Sequence, residues 1–373
     1  MNRIWFILLL FLVGCNAPKP SITNEEHQLN HLQTQYLYYQ RVDVQKAQLY
    51  NDSIRQLAEN TKSDNGLALY LLNQGTLEQI KGNYDLAINK NEAALVEFEK
   101  LKNDTLIAKT NAALGTNYWQ KGEYDQAMQH HLIALKLNEQ LGIKSEMAVC
   151  YNYISMVYQS KYQLALAEEY IQKAFQIIQT LQPKASHISI YHNMANIYGM
   201  QAKYEDALKM DSIGLKMCEE LKIEFNKSMF YDNIANCYYY SNHFDQSIAY
   251  HLKAISIDST FKNNKQLGDS YCNLGAVYEA LKKHDTAIYY YQKSIELCRK
   301  SGYKLGVKNG YELLSALYDK INQPALAYQA LLNSNAVKDS MINEKTENKL
   351  AQLRTLYETE KRTTNYPTRF EDK

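Results

Sequence analysis

Apolar and small residues recur along this chain every 40 residues. A tyrosine holds the same place in six successive segments, and a small residue stands three positions before it. The tyrosines are Tyr118, Tyr158, Tyr198, Tyr238, Tyr278 and Tyr318, and the small residues are Gly115, Ser155, Ala195, Ala235, Gly275 and Ser315. A fixed internal period indicates one stacked array, although 373 residues would otherwise suggest two or three domains.

Further columns predict two helices in each segment. An alanine or serine follows the tyrosine column by nine residues, and another small residue follows by sixteen. Tyr191, Met194, Ala195 and Tyr198 have the i, i+3, i+4, i+7 spacing of a buried helix face. Turns with Gly or Asn, such as KGEY at 121–124, indicate a helix stop between the two helices. Neither helix can bury its stripe alone, so neighbouring segments must complete the core.

These columns resemble the tetratricopeptide repeat (TPR) over residues 67–336, as seven units. The usual TPR period is about 34 residues, so a period of 40 predicts helices about one turn longer. The resemblance implies an all-α fold, a right-handed α-solenoid of stacked helix-turn-helix units. Residues 31–66 are predicted to form degenerate N-terminal capping helices. Residues 337–361 are predicted to form a polar capping or coiled-coil helix, and 362–373 a flexible tail.

The first residues are predicted to be a targeting segment. Arg3 precedes ten apolar residues, a run too short to span a bilayer, which needs about 20. The run ends in LVGC, which resembles a bacterial lipobox and implies cleavage after residue 14 and lipidation of Cys15. The alternative is an ordinary secretory signal with a chance cysteine. We expect a signal peptide at 1–14, a polar tether at 15–30 and a lipid-anchored, periplasm-facing protein of the cell envelope.

Charge and motifs exclude several classes of function. The chain has 41 basic and 40 acidic residues, so a nucleic-acid partner is not expected. The histidines are dispersed, and no HExxH, GxSxG or phosphate-binding loop is present. We therefore expect no enzyme activity, metal or cofactor. Five further cysteines fall on predicted apolar faces and are expected to be buried thiols, with any disulfide pairing left open.

A second stripe on the first helices carries asparagine. Five residues before the tyrosine column, four of the seven units have Asn: Asn73, Asn193, Asn233 and Asn273. A side-chain amide can donate to one peptide group and accept from another. The TPR resemblance implies that first helices line a concave groove and that an Asn here contacts peptide backbone. The predicted groove residues are these four with Asn196, Asn236 and Tyr240. The alternative is that the amides bond to the neighbouring repeat and set the stacking angle.

The pattern as a whole predicts a non-enzymatic adaptor or scaffold that binds a protein or peptide in its groove. A first alternative is a sensory module, because AQLRTLYETEK resembles the end of the array in TPR sensor proteins of Bacteroidota. In those proteins a transmembrane helix and a histidine-kinase or DNA-binding module follow, whereas RTTNYPTRFEDK follows Lys361 here. A second alternative is a structural subunit of an envelope assembly.

Overall fold

The structure is a computed structural model that describes residues 24–341, and every regular element in that range is helical. The predicted signal peptide, Cys15 and the C-terminal tail lie outside the described residues. Contacts divide the chain into two compact units, one ending at Tyr70 and the other beginning at Leu71. None of the helices between residues 24 and 341 combines the length and apolar character needed to cross a membrane.

The first unit contains α1 (Asn24–Val42) and α2 (Val44–Thr61), which pack against each other. Helix α1 includes residues 24–30, which differs from the polar tether expected there. The reason is that this polar segment contributes to one apolar helix face, because Leu29 and Tyr36, seven residues apart, are both buried. The α2 helix starts where the Asp43 carboxylate accepts a hydrogen bond from the Lys46 backbone N–H at 3.1 Å.

Helix pairs make up the rest of the described chain, and from α4 to α15 each helix packs against the next along the sequence. This confirms the predicted all-α solenoid of helix-turn-helix units. The helices are α3 (Asp64–Ile80), α4 (Tyr84–Lys100), α5 (Asp104–Gln120), α6 (Tyr124–Leu141), α7 (Lys144–Ser160), α8 (Leu164–Ile178), α9 (Ile188–Met200), α10 (Tyr204–Glu220), α11 (Lys227–Tyr240), α12 (Phe244–Thr260), α13 (Asn264–Ala280), α14 (His284–Lys300), α15 (Lys304–Lys320) and α16 (324–341).

One type of turn explains the period of 40. Most helices have 17 residues, and the three that follow include one with left-handed backbone. From the end of α2 onward these left-handed residues are spaced by 20, except for a gap of 40 between Tyr162 and Ala202: Lys62, Gly82, Lys102, Gly122, Gly142, Tyr162, Ala202, Lys222, Asn242, Lys262, Lys282, Gly302 and Asn322. The next residue closes the turn, as where the Glu123 N–H donates to the Tyr118 carbonyl at 2.9 Å. Two such half-repeats give the 40-residue unit.

The connection between α8 and α9 is the exception. At the equivalent places, the N–H groups of Ile143 and Ile223 close the turn. Pro183 occupies this place and has no N–H, so the same hydrogen bond cannot form. Helix α8 ends early at Ile178, and a 3-10 turn at Ala185–His187 precedes the shortened α9.

The predicted buried stripe of the first helix is confirmed in α9. Tyr191, Met194, Ala195 and Tyr198 are each at most 9% exposed and belong to one apolar cluster. The expectation of buried thiols holds for Cys150, Cys218, Cys237 and Cys298, while Cys272 is half-buried. Burial raises the pKa of the Cys150 thiol to about 12, so this cysteine behaves as a small apolar side chain.

Candidate functional site: the inner face of the array

The first helices of successive pairs lie on the inner side of the array's curve. From α5 to α15 they contact one another more extensively than the second helices of successive pairs do. A stack that brings one set of helices closer together must curve towards that set. We call the side of α5, α7, α9, α11, α13 and α15 that carries the predicted asparagine stripe the inner face.

Asn193 is buried in the floor of the inner face. Its side-chain N–H donates to the Asn152 side-chain oxygen on α7 at 2.8 Å, and it is only 8% exposed. Asn152, itself buried, reaches the Ser189 hydroxyl at 3.5 Å. The Asn193 amide is therefore engaged by the neighbouring repeat, as the stacking alternative expects.

Asn233 bonds in the same way one unit later. Its amide nitrogen lies 3.1 Å from His192 Nδ1 on α9 and 3.3 Å from Asp211 Oδ1 on α10. Asn196 approaches the other nitrogen of His192 at 3.1 Å. Burial lowers the pKa of His192 to about 4, so the ring is neutral near pH 7 and carries one N–H. One of the two amides must therefore present its oxygen to the ring.

A third polar contact joins α11 to α13. The Ser270 hydroxyl donates to Asp232 Oδ2 at 2.6 Å, and His251 Nδ1 lies 2.7 Å from Asp232 Oδ1. His251 is completely buried. Polar side chains thus link four successive first helices, α7, α9, α11 and α13. Together these contacts form what we call the polar floor.

The remaining predicted residues differ in accessibility. Asn73 is buried, whereas Asn236 and Asn273 are half-buried. Tyr240 is 63% exposed, and its ring stacks on Tyr204 with centroids 6.1 Å apart. The inner face therefore offers accessible amides and one exposed aromatic ring above a floor that is already bonded.

The surrounding protein shifts the pKa values of two charged groups on the inner face. Lys109 on α5 is exposed, and desolvation by the surrounding protein lowers the pKa of its ammonium, partly opposed by Glu146. Asp269 on α13 is half-buried, and burial raises its pKa to about 6, partly opposed by Lys265. A cation and an acid thus lie in separate units of the same face.

Sequence reasoning missed the column immediately before the asparagine column, although its residues supply much of the polar floor. Asn152, His192 and Asp232 occupy it, 40 residues apart. Their common polar character inside an otherwise apolar helix face was the available signal. Between residues 24 and 341 no group of three or more His, Cys, Asp or Glu side chains could hold a metal ion.

Three segments match family models of the tetratricopeptide repeat: residues 147–181, 230–261 and 268–301. Within these three segments the array consists of tetratricopeptide repeats. No curated protein sequence matches the chain.

Solved structures share the TPR architecture at low identity. The apo form of the quorum sensor NprR from B. thuringiensis aligns with a TM-score of 0.64 and 16% identity, covering 84% of this chain and 87% of that one. A Rap conjugation gene regulator of the plasmid pLS20, in complex with the Phr* peptide, aligns with a TM-score of 0.64 and 15% identity. The alignment covers 86% of this chain and 97% of that one. A Rap protein complexed with Competence and Sporulation Factor aligns with a TM-score of 0.61 and 16% identity. The alignment covers 90% of this chain and 98% of that one. At these identities the likeness establishes the TPR fold alone.

Proposed function

We propose that this protein binds an extended segment of a partner protein, or a peptide, along the inner face of its TPR array. The observation that carries this proposal is the polar floor from α7 to α13. Its side chains are fixed by contacts between repeats, so the surface above it is organised before a ligand arrives, and less conformational entropy is lost on binding.

The accessible side chains suit a peptide main chain. Asn236 and Asn273 are half-buried, and each amide offers a donor and an acceptor. Asn196 is half-buried as well, and one group of its amide contacts His192. Tyr240 supplies an exposed ring as an anchor for an apolar side chain. In this arrangement Asn193 and Asn233 hold the polar floor together, while the accessible amides and Tyr240 contact the ligand. The complex of a Rap regulator with the Phr* peptide lends support by fold similarity.

Site-specific photo-crosslinking tests the proposal. A photoreactive phenylalanine analogue would replace Asn236 or Tyr240 on the inner face, and matched controls would carry it at Lys216 or Ser256, exposed on second helices. We expect one discrete partner adduct from the inner positions in native cells and none from the control positions. Equal adducts from both sets would refute binding at the inner face.

A sensory role is the second candidate, favoured by the fold shared with the quorum sensor NprR. Here the inner face would detect a peptide and a separate effector chain would respond. The identity of the crosslinked partner distinguishes the roles. A kinase or response regulator supports sensing, whereas a subunit of an envelope assembly supports the adaptor or structural role.

We also propose that the protein is exported and anchored to a membrane through lipid on Cys15. The LVGC sequence at 12–15 supports this proposal. Metabolic labelling with an alkyne fatty acid should label the wild-type chain and leave Cys15→Ser unlabelled, with that variant recovered in the soluble fraction. A Cys15→Ser chain that remains labelled would refute this site of lipidation.

A further inference from the structure

A side chain of the second helix inserts between two tyrosines of the first helix in most units. Tyr170 lies beside Tyr151 and Tyr158, with ring centroids 6.1 and 5.3 Å away. The same arrangement recurs 80 and 120 residues later. Tyr250 lies between Tyr231 and Tyr238, and Tyr290 between Tyr271 and Tyr278, with centroid distances of 5.4–5.9 Å.

Two other units fill this position with different side chains. Met210 follows Tyr198 by the same twelve residues and shares a buried cluster with Tyr191 and Tyr198. His130 stacks on Tyr118 at 5.4 Å. We call the position between the two first-helix residues the ring slot. In five successive units the chain itself occupies it.

The last described unit leaves its ring slot open. Tyr311 and Tyr318 stand on α15 as in the earlier units, but the inserted residue is Ala330. A pocket of about 330 Å³ lies here, lined also by Ile295 and Leu314. These two residues correspond to Ile255 and Leu274, which pack with Tyr290 one unit earlier. The walls are therefore those of an occupied slot, and the ring is missing.

We propose that this open ring slot binds an aromatic side chain presented by a partner polypeptide. The earlier slots identify the chemistry, because tyrosine fills three of them between equivalent walls. The pocket volume is near the lower end for ligand sites and accommodates a single ring with its attachment.

The rim of the slot favours a polypeptide over a free aromatic molecule. Gln292, Glu296, Gln329 and Asn333 surround the opening and offer donors and acceptors to a main chain. The Arg299 guanidinium donates to the Tyr311 hydroxyl at 2.8 Å and so holds one wall in place. On α15 the positions equivalent to Asn193, Asn196 and Met200 are Leu313, Ala316 and Lys320. The slot is lined by Tyr311, Leu314 and Tyr318 instead, so it is separate from the inner face.

Binding of small tyrosine mimics to the full chain tests the site. We expect p-cresol to bind in ligand-observed NMR, and Ala330→Phe to weaken it at least about tenfold by filling the slot. Ala330→Ser keeps the space and should bind as the wild type does. Tyr290→Ala opens an equivalent slot between Tyr271 and Tyr278 and should bind a second molecule. Unchanged p-cresol binding by Ala330→Phe would overturn the proposal.

A second experiment tests whether the aromatic side chain is presented by a polypeptide. N-acetyl-tyrosine-N-methylamide carries main-chain amides and should bind about three- to tenfold tighter than p-cresol, since each added hydrogen bond contributes modestly. Equal or weaker binding would overturn this part. The alternative source of a ring within the same chain is Tyr357, Tyr366 or Phe370. If p-cresol binds only after all three are changed to alanine, the occupant is internal and the partner proposal fails.

Discussion

At the residue scale, a small residue of the first helix faces a large ring of the second helix in the α5–α6 and α13–α14 pairs. A Cβ placed on Gly115 would lie 2.5 Å from the His131 ring, and one on Gly275 would lie 2.7 Å from the Tyr291 ring. Both rings are buried. The small column therefore reflects steric need, and the size of the facing side chain decides where glycine is required.

Gly275→Ala should destabilise the protein. The Tyr291 ring cannot withdraw easily, because it is fully buried and its hydroxyl donates to Glu279 at 2.9 Å. We expect a loss of about 1–3 kcal/mol in the free energy of unfolding, measured by urea denaturation. Gly199→Ala is the matched control, since its Cβ would meet nothing within 4 Å and should gain up to about 1 kcal/mol. A larger loss in the control would contradict the steric account.

Asp211 should make stability depend on pH. Burial raises the pKa of its carboxyl to about 8, far above the ordinary value of about 4, opposed by the hydrogen bond from Asn233. The folded state therefore favours the protonated acid. Its contribution is present below about pH 4 and is lost as pH rises towards 8.

Asp211→Asn keeps the hydrogen-bonding pattern of the protonated acid without the titration. Relative to this variant, the wild type should lose stability progressively from about pH 4 to 8 and change little above it. Unfolding midpoints of both proteins across this range measure the difference. A constant difference would show that Asp211 keeps its ordinary pKa.

At the element scale, one turn geometry is repeated with very different residues. Lysine occupies the left-handed position in five turns, although glycine is better suited to it. The closing hydrogen bond and the packing of both helices therefore impose the geometry on residues that do not favour it.

Lys282→Gly should stabilise the turn between α13 and α14. Its φ of 59° is unfavourable for a residue with a Cβ, so glycine should raise the free energy of unfolding by about 1 kcal/mol. Lys283→Gly, at a φ of −89°, should give no gain. Thermal unfolding of both variants checks the prediction, and equal effects would count against it.

Asn152 and Asn193 should couple α7 to α9. Removing one amide leaves the other buried without its partner, so each single alanine variant should lose about 1–3 kcal/mol. The double variant should lose less than the sum, because the pair is removed together. Additive losses in chemical denaturation would show that the contact does not hold the repeats together.

Much of the array could be predicted because it depends on local patterns. The tyrosine and small-residue columns give the period, the helix pairs and the buried side of α9. The helix over residues 24–30 was missed because only Leu29 marks its buried side within a polar segment. The bonds of Asn193 and Asn233 depend on side chains about 40 and 20 residues away, and the open slot at Ala330 appears only when units are compared in space.

At the scale of the whole molecule, each pair of helices depends mainly on its neighbours. The described helices bury several separate apolar clusters, so a local perturbation should remain local. In the Gly275→Ala protein, amide hydrogen exchange should accelerate in α13–α15 and stay unchanged in α5–α8. Mass spectrometry of peptic fragments measures this directly. Uniform acceleration along the chain would indicate an all-or-none unit instead.

The equal spacing of the left-handed turns bears on how such a gene can change length. A gene segment of 40 codons that begins and ends at two equivalent turns can be lost or duplicated. The turn at the new junction then has the same geometry as turns that the protein already contains. Between α2 and α16, the connection around Pro183 is the one without such a left-handed turn. Recombination that leaves this connection intact therefore keeps the other junctions unchanged while altering the length of the array.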